Sequence, residues 1–208
     1  ATEDSAYSYT FKASDVDSGD KITYAATTLP SWLAINSTTG VLSGTPTNAD
    51  VGSHSVVLTA TDNAGVKATQ SFSIAVNNIN DAPTNLALSS NSMVENSAGA
   101  TVGTLSASDI DGDALTYTLA SDGANNYFEI SGTTLKLKDQ YYANYETANA
   151  YPITITATDG SGATISLATQ VNITNVNEGS AAHPLAKGTA SFSTLAETGA
   201  TPLIQPVL

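Results

Sequence analysis

The chain contains no cysteine and no arginine. Without cysteine no disulfide supports the fold, and small extracellular modules that lack them often lean on a metal instead. Arginine is the preferred residue for bidentate phosphate and base contacts, so its absence argues against nucleic-acid binding. The six cationic residues are all lysine; against 19 acids they leave a formal net charge of −13. An anionic membrane surface would repel such a chain. No apolar run approaches membrane-spanning length, which argues against membrane insertion. Two isolated histidines with no cysteine make a zinc site a poor fit, and neither His54 nor His183 has a nucleophile pattern around it.

What is present is said twice. Glu3-Asp4, Ser14-Asp15-Val16-Asp17, Thr59-Ala60-Thr61-Asp62 and Asn78-Ile79-Asn80-Asp81 recur in order. Their counterparts are Glu95-Asn96, Ser108-Asp109-Ile110-Asp111, Thr156-Ala157-Thr158-Asp159 and Asn175-Val176-Asn177-Glu178, at offsets of 92, 94, 97 and 97 residues. Such regularity indicates tandem modules of about 95 residues. The expected division is 1–82 and 83–178, with Asn80-Asp81-Ala82-Pro83 as the link. Residues 179–208 read either as a linker or as the first strands of a third module. The spacing from Pro184 to Glu197 is 13 residues, against 12 from Pro83 to Glu95. The first residue already sits inside a motif, so the chain reads as a piece of a longer protein. Its Thr, Ser, Ala, Asn and Gly richness suggests a secreted bacterial repeat protein.

Alternation with period two dominates. Tyr7, Tyr9 and Phe11 share one face while Ser8, Thr10 and Lys12 share the other. Segments 22–25, 56–60, 72–76, 115–119, 135–137, 153–157 and 165–173 alternate in the same way, and a further strand is expected over Leu86–Met93. Many short strands punctuated by Asp-Gly, Ser-Gly and Thr-Gly turns predict all-β Greek-key immunoglobulin-like sandwiches, with about seven strands per module. Asp20 and Asp122-Gly123 read as turn formers.

These motifs carry a family resemblance. The second module resembles a cadherin repeat: Glu95, then Asp109 and Asp111, then Asn144-Tyr145-Glu146 where the family has Asp-x-Glu, then Asp159, then Asn175, Asn177 and Glu178. The first resembles a dystroglycan-type cadherin-like module through Leu29-Pro30-Ser31-Trp32-Leu33, Thr39-Gly40-Val41-Leu42-Ser43-Gly44-Thr45-Pro46 and Asn48-Ala49-Asp50-Val51-Gly52. The resemblance covers about residues 1–178. It implies Ca²⁺ between consecutive modules. Carried over, the ligands are Glu3 and Asp50 from the first module, Asn78, Asn80 and Asp81 from the link, and Asp109, Asp111 and Asp159 from the second. Outer half-sites would comprise Asp15, Asp17 and Asp62 at one end, and Glu95, Asn144, Glu146, Asn175, Asn177 and Glu178 at the other.

Electrostatics supports the same cofactor. The central set holds six carboxylates, and like charges at ~4 Å repel by several kcal/mol even at an effective dielectric near 20. With six to eight oxygens per ion and some bridging, about two to three Ca²⁺ suit this set, whereas Mg²⁺ demands tighter octahedral geometry. The expected function is non-enzymatic: a Ca²⁺-rigidified spacer or adhesion segment of a large extracellular or cell-surface bacterial protein, whose partners are its own adjacent modules. Two alternatives stay open at this point. One is a carbohydrate-binding accessory module of a polysaccharide-degrading enzyme, for which Tyr141, Tyr142 and Tyr145 are candidate ligand contacts. The other is a homophilic or heterophilic cell-contact module that meets a cell-surface polysaccharide or protein.

Overall fold

The computed structural model describes residues 1–17 and 19–177, together with the backbone of Thr201 and Pro202. Two compact units follow one another, the first spanning Ala1–Asn80 and the second starting at Asp81.

In the first unit the alternating segments become β1 (Tyr7–Thr10), β2 (Thr23–Thr28), β3 (Leu33–Ile35), β4 (Val41–Gly44), β5 (Gly52–Thr61) and β6 (Lys67–Val76). They form two antiparallel sheets, ordered β1-β4-β3 and β2-β5-β6. An isolated parallel bridge from Thr2 to Asn77 lies beyond the end of β6. The inward residues Phe11, Leu33, Leu42, Val56, Leu58, Ala60 and Ile74 are buried between the sheets. Burial of such side chains contributes about 1.5–3 kcal/mol each before entropy is counted. Trp32 packs edge-on against Tyr7 at 5.8 Å and against His54 at 6.1 Å, at the border of this core. Glycine is required where β4 passes the start of β3: a Cβ on Gly44 would lie 1.9 Å from the Trp32 carbonyl oxygen.

The second unit repeats the plan with more strands: β7 (Thr84–Leu88), β8 (Ser92–Val94), β9 (Thr101–Ser108), β10 (Thr116–Leu119), β11 (Phe128–Ser131), β12 (Thr134–Leu137), β13 (Tyr141–Tyr142), β14 (Ala150–Thr158) and β15 (Thr164–Thr174). The sheets are ordered β11-β12-β9-β7 and β10-β14-β15-β8, with β8 parallel to β15. Phe128, Leu135, Leu137, Ile155 and Val171 are among the residues that fill the space between them.

The single strand expected over Leu86–Met93 is instead two. β7 pairs with β9 in one sheet and β8 pairs with β15 in the other. The chain changes sheets between them, so one alternation cannot run through. Leu86 and Leu88 pack on the core from one sheet, and Met93 is buried from the other. Of the tail, the described part is a short parallel pairing of β16 (Thr201–Pro202) with β13. Glu178, Glu197 and the expected third-module strands lie outside the described residues.

Candidate metal centre

Each unit tucks one glutamate under the end of its last strand. Glu3 is fully buried; its Oε1 accepts the Ile79 N–H at 2.6 Å. Glu95 is 2 % exposed; its Oε1 accepts the Val176 N–H at 2.8 Å. Ile79 and Val176 are themselves 97 residues apart, so the repeat seen in sequence is a repeat of this hydrogen bond. The second carboxylate oxygens differ. Glu95 Oε2 accepts the Tyr145 N–H at 2.8 Å. Glu3 Oε2 is buried and has no hydrogen-bond partner among the described residues.

The other expected first-unit ligands are engaged as follows. Asn78 Oδ1 accepts a long bond from Asn48 Nδ2 at 3.5 Å. Asp50 is committed to its own turn: Oδ2 accepts both the Thr47 N–H and the Thr47 hydroxyl, each at 2.9 Å. Those bonds, the backbone one foremost, hold the Asp50 carboxyl below the usual aspartate range. This caps the short 3₁₀ turn Asn48–Asp50. At the corresponding end of the second unit, Asn175 Nδ2 donates to Glu146 Oε1 at 3.1 Å. Asn144 Oδ1 accepts the Thr147 N–H at 3.0 Å.

The opposite end of each unit carries the Asp-x-Asp motif. In the second unit Asp109 Oδ1 accepts the N–H groups of Asp111 and Asp113, at 2.9 and 3.3 Å. Its Oδ2 is buried without a partner among the described residues. Asp111 Oδ2 accepts the Asp81 N–H at 2.7 Å, which brings two expected ligands together. Asp159, 6 % exposed, turns Oδ1 to the N–H groups of Ser161 and Ala163, at 2.9 and 2.8 Å. Asp109 and Asp159 thus each fold their own loop with one oxygen, while Asp111 holds the backbone at Asp81.

In the first unit Asp15 Oδ1 accepts the Asp17 N–H at 2.9 Å, and Asp62 Oδ1 accepts the Val66 N–H at 2.8 Å. Asp15, Asp17 and Asp20 each bring a carboxylate oxygen within 4.8 Å of the others. Asp20 was legible only as a turn former; its place three residues after Asp17 was the signal that it closes the same loop. Asp15, Asp62 and Lys67 line a shallow cavity of about 100 Å³ beside it.

Oxygen atoms alone compose these sets, and they are carboxylates, amides and peptide carbonyls. Such donors suit a hard cation of flexible coordination. A buried carboxylate oxygen with no donor costs free energy unless a cation or proton meets it. Glu3 Oε2 and Asp109 Oδ2 therefore fit a Ca²⁺ site. Tyr141 packs edge-on against Tyr127 at 5.2 Å and leans on the core, and Tyr142 is half-buried beside it. Tyr145 is 36 % exposed.

Residues 1–77 match the family model described as a putative Ig domain. No curated protein matches the chain. Among solved structures, the chain is similar to protocadherin gamma B2 extracellular cadherin domains 3–6, with TM-score 0.59 and 18 % identity over 86 % of this chain and 45 % of that one. Human protocadherin-24 EC1-2 gives TM-score 0.58 and 17 % identity, over 80 % of this chain and 87 % of that one. The protocadherin gamma B4 extracellular domain gives 0.53 and 23 %, over 76 % and 27 %. The chain thus spans less than half the length of the gamma B relatives. These likenesses establish the fold, an Ig-like and cadherin-like β-sandwich. Among the described residues, no helix is long and apolar enough to cross a membrane, which leaves β-barrels unaddressed.

Proposed function

We propose that the chain is a Ca²⁺-binding segment of a large extracellular protein, bacterial by its composition, in which the ion stiffens a succession of modules. The observation that carries this reading is the pair of buried carboxylate oxygens without donors, Glu3 Oε2 and Asp109 Oδ2. Both belong to motifs that recur once per module. Bound Ca²⁺ supplies positive charge where carboxylates accumulate. Glu3, Asp50, Asn78 and Asn80 of the first unit would be ligands, as would Asp81, Asp109, Asp111 and Asp159 of the second. Asp15, Asp17 and Asp62, now joined by Asp20, form the outer half-set of the first module. Glu95, Asn144, Glu146, Asn175, Asn177 and Glu178 form that of the second. The assignment of ligands from the two units to one shared site rests on the resemblance to cadherin repeats. In this reading the role is mechanical, and the acids are ligands, not general acids or bases.

The spacer role makes a prediction about shape. Each apolar core lies within its own unit, so chelation leaves both sandwiches folded. The acids that lose their ion repel one another, and the link becomes a hinge. Small-angle scattering in Ca²⁺ should give a narrow distance distribution that broadens and shortens in chelator, with unchanged circular dichroism. An equally extended, equally rigid chelated form would contradict the stiffening role.

A further inference from the structure

Two residues of the repeated motifs have no part in the ligand sets. They are Asp4 and Asn96, which follow the two buried glutamates and are themselves exposed. Both adopt the left-handed backbone conformation, with φ 54° and 60°. Such values are uncommon outside glycine, and aspartate and asparagine are among the residues that tolerate them best. The hydrogen bonds around them show what the turn does. The chain up to Glu3 runs parallel to the end of β6, with a bridge from Thr2 to Asn77. The Asn77 N–H donates to the Ala1 carbonyl at 3.0 Å, and the Glu3 N–H to the Asn77 carbonyl at 3.1 Å. Continued in steps of two, a parallel ladder would next join the Ile79 N–H to the Glu3 backbone carbonyl. The Ile79 N–H goes instead to the Glu3 side chain, at Oε1. The second unit repeats this. β8 runs parallel to β15 as far as Val94 opposite Thr174, and the Glu95 N–H donates to the Thr174 carbonyl at 3.3 Å. The next donor, the Val176 N–H, turns to Glu95 Oε1. By then the backbone has left the ladder. The Asp4 N–H donates to the Pro46 carbonyl at 2.8 Å and the Asn96 N–H to the Ala143 carbonyl at 2.9 Å, just past β4 and β13.

We propose that Asp4 and Asn96 are the positioning residues of the two buried glutamates. The left-handed turn takes the backbone off the ladder one rung early, and the carboxylate supplies the missing rung. One carboxylate oxygen is thereby committed to a backbone N–H, and the place of the other follows from it. In the second unit that other oxygen accepts the Tyr145 N–H. In the first it is Glu3 Oε2, buried and without a partner among the described residues. The consequence for cation binding rests on the Ca²⁺ reading above; the consequence for the hydrogen bond does not. What the position needs is its conformation and not its charge, because Asp4 and the neutral Asn96 stand before the same arrangement of bonds. Glycine reaches such a φ freely, whereas a β-branched residue there is a genuine outlier. A residue that resists the turn should therefore push the backbone back along the ladder and displace the carboxylate.

Amide hydrogen exchange of the full chain in chelator, followed by calorimetry with Ca²⁺, tests this on Asp4→Val, Asp4→Gly and Asp4→Asn. The amide to follow is Ile79, with Leu58 in the central strand β5 as the reference for global opening. Asp4→Val should speed Ile79 exchange roughly tenfold, the equivalent of one residue forced into a conformation it resists, and leave Leu58 unchanged. It should weaken Ca²⁺ binding by a similar factor. Asp4→Gly and Asp4→Asn should match the parent in both measurements. In the second unit Asn96→Val should likewise speed exchange at Val176, and Asn96→Gly should not. A merely structural role would move Leu58 together with Ile79. Parent-like Ile79 exchange in Asp4→Val would overturn the proposal. So would equal acceleration of Ile79 and Leu58, or losses in Asp4→Gly or Asp4→Asn as large as those in Asp4→Val. The exchange measurement needs no metal. A parent chain that takes up no Ca²⁺ would therefore contradict the metal reading, while the Ile79 comparison still decides this one.

Discussion

Chelating Ca²⁺ should lower the melting temperature of the chain by roughly 10–20 °C when the metal had been a hundredfold above its dissociation constant. The figure follows from linkage. An ion that binds the folded state alone contributes about 2.7 kcal/mol at that excess. A domain of this size shifts by about 4–8 °C per kcal/mol. The physical source is the relief of repulsion among carboxylates that the fold has already arranged, with one oxygen of Asp109, Asp111 and Asp159 locked on backbone N–H groups. Added Mg²⁺ should recover little of the loss, because it demands near-ideal octahedral geometry and keeps its waters. Calorimetric or dichroic melting checks this, and superimposable curves in Ca²⁺ and chelator would contradict it.

Glu3→Gln should change sign with the metal. Glutamine keeps an oxygen for the Ile79 N–H that Glu3 Oε1 accepts. It replaces the partnerless, buried Oε2 charge with a neutral group. In chelator the variant should therefore be more stable than the parent, by about 1–3 kcal/mol, the scale of the penalty for a buried polar group left without a partner. In Ca²⁺ it lacks a ligand and should gain less from the ion, so its stability falls below that of the parent. Glu95→Gln is the control. Both Glu95 oxygens already accept backbone N–H groups, from Val176 and Tyr145. An amide there turns an N–H toward an N–H and costs about 1–3 kcal/mol in either condition. Urea unfolding of the three proteins, with and without Ca²⁺, gives the comparison. A Glu3→Gln variant less stable in chelator would show that its second oxygen is satisfied in some other way.

The longer strands were legible because their inward residues are large and regularly spaced. Val56, Leu58 and Ala60 mark β5, and Ile153, Ile155 and Ala157 mark β14. Alternation does not mark the three-residue β3 or the four-residue β4, because Leu33-Ala34-Ile35 is apolar throughout and Val41 and Leu42 are apolar neighbours. β9 hides its alternation behind Gly103, which the close passage of the Ser90 backbone requires: a Cβ there would lie 2.6 Å from the Ser90 carbonyl oxygen. The sheet change between β7 and β8 leaves little periodic trace, because each strand carries only one or two inward apolar residues, Leu86 and Leu88 in β7 and Met93 in β8. At the acidic motifs, repetition singled out Glu3, Asp109 and Asp159, which the fold places in buried or part-buried positions. It could not show that Asp50 would close its own 3₁₀ turn, since a cap and a ligand look alike in sequence. Nor could it separate Glu3 from Glu95, because the donor that satisfies Glu95 comes from Tyr145, 50 residues away.

Titration calorimetry of Ca²⁺ into the metal-stripped chain tests the central claim most directly. Saturable binding of about two to three ions to the central set is expected, at or below the 10⁻⁴–10⁻³ M range usual for extracellular modules. Weaker heats from the outer half-sets should follow, and Asp81→Ala and Asp111→Ala should each remove the tighter phase. Absence of saturable heat through millimolar Ca²⁺, or tight binding that survives both substitutions, would contradict the account.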